Sequence, residues 1–123
     1  MAAKDAVGHY GERVAVRHLE AAGMVVLDRN WRCREGEIDV VARDGDTVVF
    51  CEVKTRRTIA CGTPAEAVVP LKAERLRLLA LRWLAQSGLA EAGLDPAALR
   101  FDVVAVLARR RGAADVEHLR DVL

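Results

Sequence analysis

Asp39, Glu52 and Lys54 are the residues of this chain whose types and spacing could do chemistry together. They lie in the stretch GEIDVVARDGDTVVFCEVKTR, Gly36 to Arg56, where two β-prone runs flank a Gly-containing turn, the pattern of a β-hairpin. With Gly45-Asp46 as the turn, Asp44 pairs with Thr47 and Asp39 falls opposite Glu52. With Asp44-Gly45 as the turn, Asp39 falls opposite Phe50 and Glu52 is its diagonal neighbour. In both registers Glu37, Asp39, Val41 and Arg43 share a face with Val48, Phe50, Glu52 and Lys54, because side chains alternate along a strand. A three-residue turn without a compensating bulge would instead put Asp39 and Glu52 on opposite faces. The other face, Ile38, Val40, Ala42, Val49, Cys51 and Val53, is wholly apolar. Exposing it would forfeit about 25 cal/mol per Å², so it is expected to be core, with the charged face outside the core.

Cross-strand neighbours have Cβ atoms about 5 Å apart, so Asp39 and Glu52 would repel if both were ionised with no cation between them. Lys54 supplies one positive charge, and a divalent metal would supply two. Mg²⁺ takes one or two carboxylates, retained waters and phosphate oxygens, which makes Mg²⁺ or Mn²⁺ the expected cofactor of such a site. The competing reading is an amphipathic hairpin facing solvent, with Lys54 ion-paired to Glu37 or Glu52.

The elements that must position these residues follow from periodicity and turn chemistry. Val7, Tyr10, Val14, Leu19 and Ala22 recur at helical spacing over about Lys4 to Ala22, with Gly23 as a stop, and Met24 to Trp31 contains a short strand. After the hairpin, Gly62, Thr63, Pro64 and Pro70 mark a loop with one helical turn around Ala65 to Val69. Leu76, Leu79, Trp83 and Leu84 predict a helix over Leu71 to Gln86, closed by Ser87-Gly88. After a connection holding Gly93 and Asp95-Pro96, Phe101 to Leu107 and Val116 to Leu119 read as strands. The order is α, β, β, β, α, β, β. Strands grouped between helices, with a later strand joined through a helical crossover, imply an α/β fold with a mixed central β-sheet flanked by helices.

The length of 123 residues suits one domain, 1–123. A composition of 52% hydrophobic and 30% charged residues excludes disordered and fibrous classes. Lys and Arg number 19 against 18 Asp and Glu, so the net charge of +1 excludes a uniformly basic nucleic-acid coat but allows a local basic patch. Arg greatly outnumbers Lys, and Arg is the better bidentate phosphate ligand. Arg56, Arg57, Lys72 and Arg75 are candidate phosphate contacts, joined by Arg32 and Arg34, and the Arg109 to Arg111 run reads first as a solvated turn. Cys33, Cys51 and Cys61 lack the spacing of a zinc site, and with no signal peptide a reducing cytoplasm is expected. No apolar run approaches the roughly 20 residues of a membrane span. His9, His18 and His118 have no spacing suited to a metal cluster and are given no chemistry.

Asp39, a hairpin, then Glu52-Val53-Lys54 resembles the PD-(D/E)xK nuclease signature, with Ile38 where the loosely kept Pro would stand. The match widens across nearly the whole chain. Gly11-Glu12, Asn30-Trp31-Arg32, Gly36-Glu37-Ile38-Asp39, Val49 to Arg56, Lys72 with Arg75, and Arg100 to Val104 resemble the YraN-type family of small bacterial endonuclease-like proteins, similar in fold to archaeal Holliday-junction resolvases. The resemblance implies a restriction-endonuclease-like core and metal-dependent hydrolysis of phosphodiester bonds in DNA, branched or junction DNA included. It implies Asp39, Glu52 and the Val53 carbonyl as metal ligands, and Glu12, at the margin of the helical stripe, as a further metal or water ligand. Lys54 would orient or deprotonate the water, with Glu37 behind it as support or as its ion partner. Asp102 matches a family block and is read as a structural, hydrogen-bonded carboxylate. A homodimer is compatible by analogy with resolvases. The alternative is a non-catalytic nucleic-acid-binding or adaptor module on the same fold.

Overall fold

The computed structural model describes residues 6–57, 70–89 and 98–122, with the side chains of the second helix from Ala73 onward. The elements are α1 (Ala6–Ala21), β1 (Val25–Cys33), β2 (Gly36–Asp44), β3 (Thr47–Arg56), α2 (Pro70–Ser87), β4 (Ala98–Leu107) and β5 (Asp115–Leu119). That is the order expected from periodicity. The helical turn read at Ala65 to Val69, the Gly62-Thr63-Pro64 loop, Cys61 and the Gly93 to Pro96 connection lie outside the described residues.

The strands form one five-stranded sheet in the order β1-β2-β3-β4-β5. The β3–β4 pair is parallel and the other pairs are antiparallel, so the sheet is mixed. A parallel neighbour requires a crossover, and α2 lies in that connection. Asp44 pairs with Thr47, which makes Gly45-Asp46 the hairpin turn, with Gly45 at φ 60° as its first central residue.

Both faces of the sheet are buried. Ala15, Val16 and Leu19 of α1 pack with Val40, Ala42, Val49, Cys51, Val104 and Val106 on one side. Leu79, Ala80 and Trp83 of α2 pack with Ile38, Val41, Val48 and Phe50 on the other. This corrects the expectation that the face shared by Val41, Phe50, Glu52 and Lys54 stands outside the core: α2 covers its middle, and only its end carries charge. A central sheet covered on both faces needs apolar residues on both, which a hairpin considered alone does not reveal.

Alternation also breaks at Asp39. Val40 and Ala42 face α1, yet Ile38 packs with the α2 cluster instead of joining them. On the neighbouring strand the ladder skips Asn30, which stands at φ 51°, directly across from Asp39. The sheet therefore turns over at the Asn30–Asp39 level, just where the charged end begins.

The buried stripe of α1 differs from the expected one: it is Gly11, Glu12, Ala15, Val16 and Leu19, while Val7, Tyr10 and Val14 are half-buried and Ala22 is exposed. Gly11 is the reason. A Cβ there would overlap Thr55 Oγ1 and stand 2.8 Å from Thr55 Cβ and Cγ2, so α1 rests directly on β3 only because residue 11 has no side chain. Among the described residues no helix is long and apolar enough to cross a membrane.

Candidate active site

The β2–β3 ladder runs from Asp44–Thr47 to Val40–Cys51 and stops. Beyond it the Val53 N–H donates to Asp39 Oδ2 at 2.8 Å, so a carboxylate takes the place that a strand carbonyl would otherwise occupy. On the same side of β3 as Phe50, Glu52 and Lys54 form an ion pair, Nζ to Oε1 3.1 Å, with their side chains 13% and 25% exposed. A largely desolvated pair of this kind gains electrostatic strength from the reduced dielectric around it.

Glu12 enters from α1. It is 4% exposed, a rare state for a glutamate, and its position follows from Gly11, whose contact with Thr55 carries the first turns of the helix against the end of β3. Glu12, Glu37, Asp39, Glu52, Val53 and Lys54 all line one open pocket of about 340 Å³, together with Thr55, Arg56 and, from α2, Leu76. The four carboxylates and the ammonium singled out in the sequence therefore share one concavity. Glu37 is also ion-paired to Arg32, Nε to Oε2 3.1 Å. Among the described residues no set of three or more His, Cys, Asp and Glu side chains converges closely enough to hold a metal ion unaided.

The candidate phosphate contacts divide. Arg56 lines the carboxylate pocket and donates from Nη1 to its neighbour's Thr55 carbonyl at 3.1 Å. Arg57 is exposed and lines an adjoining groove. Arg75 is exposed on α2, its stem passing close to Gly36, and Arg34 is exposed in the β1–β2 turn. Arg32 is held by Glu37 on the edge of the sheet. Lys72 lies on the first turns of α2, and its side chain is outside the described residues.

Asp102 is a fully buried carboxylate with a structural set of partners, in keeping with the sequence reading. Arg100 grips it through Nε and Nη2, both at 2.9 Å, the Asp121 N–H donates to it at 3.0 Å, and His118 Nε2 stands 2.7 Å away. Burial pushes its carboxyl up, but the hydrogen bonds from Arg100, the Asp121 N–H and His118 outweigh that and hold it below the ordinary value of 3.8. Arg100 continues to Asp44 at 3.0 Å, which ties β4 to the tip of the hairpin.

Sequence reasoning missed the histidines of this network. His118 meets Asp102, and the His18 ring of α1 stands edge-on to it, centroids 5.3 Å apart. No spacing signal could find this, because the three residues come from α1, β4 and β5. A further missed bond joins Trp83 Nε1 of α2 to Asp28 Oδ2 of β1 at 2.9 Å.

The mixed five-stranded sheet between two helices, with acidic side chains and a lysine gathered at one end of its central hairpin, defines an α/β protein consistent with a restriction-endonuclease-like core. The chain belongs to the YraN-like family described as "Uncharacterised protein family UPF0102", whose model matches residues 11–106. A UPF0102 protein of Kineococcus radiotolerans is 62% identical over 120 residues, covering 98% of this chain and 95% of the relative. One of Beutenbergia cavernae is 61% identical over 122 residues, covering 99% of each chain. A third, of Acidothermus cellulolyticus, is 48% identical over 123 residues, covering 96% of this chain and 93% of the relative.

Proposed function

We propose that this chain is a metal-dependent endonuclease of the PD-(D/E)xK type that hydrolyses phosphodiester bonds in DNA, with branched or junction DNA among its substrates. The observation that carries the reading is the single pocket lined by Glu12, Asp39, Glu52, Val53 and Lys54 where β2 and β3 part. Its donors are hard carboxylate and carbonyl oxygens, the chemistry that suits Mg²⁺ or Mn²⁺.

Asp39 and Glu52 would hold the ion, with the Val53 carbonyl beside them. When bound, such an ion supplies Lewis acidity and a water of lowered pKa. Asp39 is oriented for its part by the Val53 N–H, which fixes the carboxylate against the strand. Lys54, released from its pairing with Glu52 as that carboxylate is engaged elsewhere, would hydrogen-bond the attacking water and offset charge growing on the phosphate. Glu12, reaching the pocket from α1, would accept a hydrogen bond from the same water. Arg56 and Arg75, at the rim, are the candidates for neighbouring phosphates.

The test is cleavage of labelled single-stranded, duplex and four-way-junction DNA with Mg²⁺ or Mn²⁺. Lys54→Met is expected to lower the rate by about 10²–10³-fold, the usual loss on removing one group that stabilises developing charge. Asp39→Asn keeps an oxygen acceptor for the Val53 N–H, so activity is expected to vanish while the fold stays as stable as the parent. Uncut substrates throughout, or variants that cut like the parent, overturn the enzymatic reading. The Glu52–Lys54 pairing is the observation that favours a second reading, a structural domain with an ion-paired hairpin, which predicts neither metal nor DNA affinity; DNA affinity without cleavage would instead mark a binding module on the same fold.

A further inference from the structure

We propose that a second groove, which adjoins the carboxylate pocket at Val7, carries the nucleic-acid strand to or from it, with Arg57 and the Arg109-Arg110 turn on its phosphates and Tyr10 under one of its bases. The proposal rests on the nucleic-acid reading above and extends it to residues outside the pocket. Read from the sequence alone, the Arg109 to Arg111 run is a solvated turn.

The fold brings this run to the site. In the parallel β3–β4 register Arg56 pairs with Leu107, and the Ala108 N–H donates to the Arg56 carbonyl at 2.8 Å. The chain leaving β4 is thereby fastened to the chain leaving β3. Arg57, Arg109 and Arg110 then line a groove of about 760 Å³ together with Val7 and Tyr10 of α1. Val7 also lines the carboxylate pocket, and consecutive residues Arg56 and Arg57 serve the two concavities in turn. The two concavities therefore adjoin at Val7, near the start of α1.

Charge points to the occupant. The chain as a whole is nearly balanced at +1, so guanidinium groups gathered at one edge create a local field. Asp115 pairs with Arg109, Nε to Oδ2 3.0 Å, and holds it in place. Arg57 and Arg110 are exposed, and among the described residues neither has a carboxylate partner. Guanidinium forks match phosphate oxygens bidentately. Tyr10, half-buried with the Arg13 guanidinium 6.0 Å from its ring centre, adds an aromatic surface of the kind on which unpaired bases stack. Arginines beside an aromatic ring, next to a site suited to a phosphodiester, fit a strand with exposed bases better than any other polyanion.

Fluorescence anisotropy with a labelled single-stranded oligonucleotide in EDTA, titrated over a range of salt, tests this without cleavage. Arg57→Gln and Arg110→Gln are each expected to reduce the slope of log affinity against log salt by about 0.7, one single-strand phosphate contact apiece. Tyr10→Leu is expected to weaken binding about tenfold with the slope unchanged, the signature of a lost stack. Arg120→Gln, beside Asp44 at the opposite end of the sheet, is expected to change neither. Thermal melts confirm that each variant is folded. Undiminished slopes for Arg57→Gln and Arg110→Gln, an equal loss in Arg120→Gln, or no binding by the parent overturns the groove. A parent that binds in this way but cuts nothing sinks the nuclease reading and leaves the groove standing. A parent that cuts, with the arginine variants retaining its salt dependence and KM, does the reverse.

Discussion

Replacing Gly11 by alanine sets two effects of opposite sign against each other. In the interior of a helix Ala is favoured over Gly by about 1 kcal/mol, so propensity alone makes Gly11→Ala stabilising. The structure predicts the reverse. The new Cβ would overlap Thr55 Oγ1 and stand 2.8 Å from Thr55 Cγ2 and Cβ. Rotating the threonine does not relieve this, because its Cβ is itself too close and a β-branched side chain has few other rotamers. Either α1 lifts from β3 or the strand gives way, and overpacking of this kind costs about 1–3 kcal/mol. Net of the helix gain, the expected loss is about 1 kcal/mol, with an upper bound near 2. Urea unfolding followed by far-ultraviolet circular dichroism reads it as a lower midpoint at constant slope. Thr55→Ala removes two of the three offending atoms, so the double variant is expected to recover about 1 kcal/mol relative to the sum of the singles. A Gly11→Ala protein stabilised by the full helix gain of about 1 kcal/mol, or a cycle with no coupling, would refute the direct seating of α1 on β3 and, with it, the account of how Glu12 reaches the pocket.

Acid is expected to destabilise the fold in two steps. Burial, then His118 and Arg120, lower the pKa of His18 from its ordinary 6.5, so the unfolded chain takes up that proton first and stability falls as pH drops below about 6.5. Asp102, held below 3.8, contributes stability fully above that value and loses it as pH falls through the lower folded value. Urea midpoints from pH 8 to pH 3 should show both declines, with His18→Asn removing the first; a first step that survives in His18→Asn would refute the assignment. Burial, reinforced by the charge of Asp102, pushes the Cys51 thiol far above its ordinary value. Native protein treated with iodoacetamide is accordingly expected to be alkylated at Cys33, which is half-buried, and spared at Cys51 until urea is added; mass spectrometry showing equal labelling of the two would contradict the core position of Cys51.

Much of the frame was legible in the sequence because it is written in local signals. Period-two and period-3.6 patterns, Gly23 and Ser87-Gly88 as helix stops, and a hairpin turn at either Asp44-Gly45 or Gly45-Asp46 are each set by a few neighbouring residues; the structure selects Gly45-Asp46, and its ladder ends at Val40–Cys51, one step short of an Asp39–Glu52 pair. Of the candidate site, the sequence shows that Glu52 and Lys54 fall on one side by alternation; their ion pair is the contact that the competing hairpin reading expected. Ile38 was misjudged because strict alternation was assumed through Asp39, and the turnover there depends on Asn30 of another strand.

The sequence by itself thus determined the order of elements, a hairpin with its turn at Gly45, and the presence of acids and a lysine at one strand end, while the register between the two possible turns was decided by the structure. Only the tertiary structure decided that α2 covers the second face of the hairpin, that buried Glu12 lines the same pocket as Lys54, that His118 meets Asp102 with His18 edge-on to it, and that Arg57 and the Arg109-Arg110 turn line one groove. The reason is physical. Backbone preference and side-chain periodicity act over a few residues, whereas each of these meetings depends on how closely distant segments can pack, as with the missing Cβ of Gly11 that lets a helix settle onto Thr55.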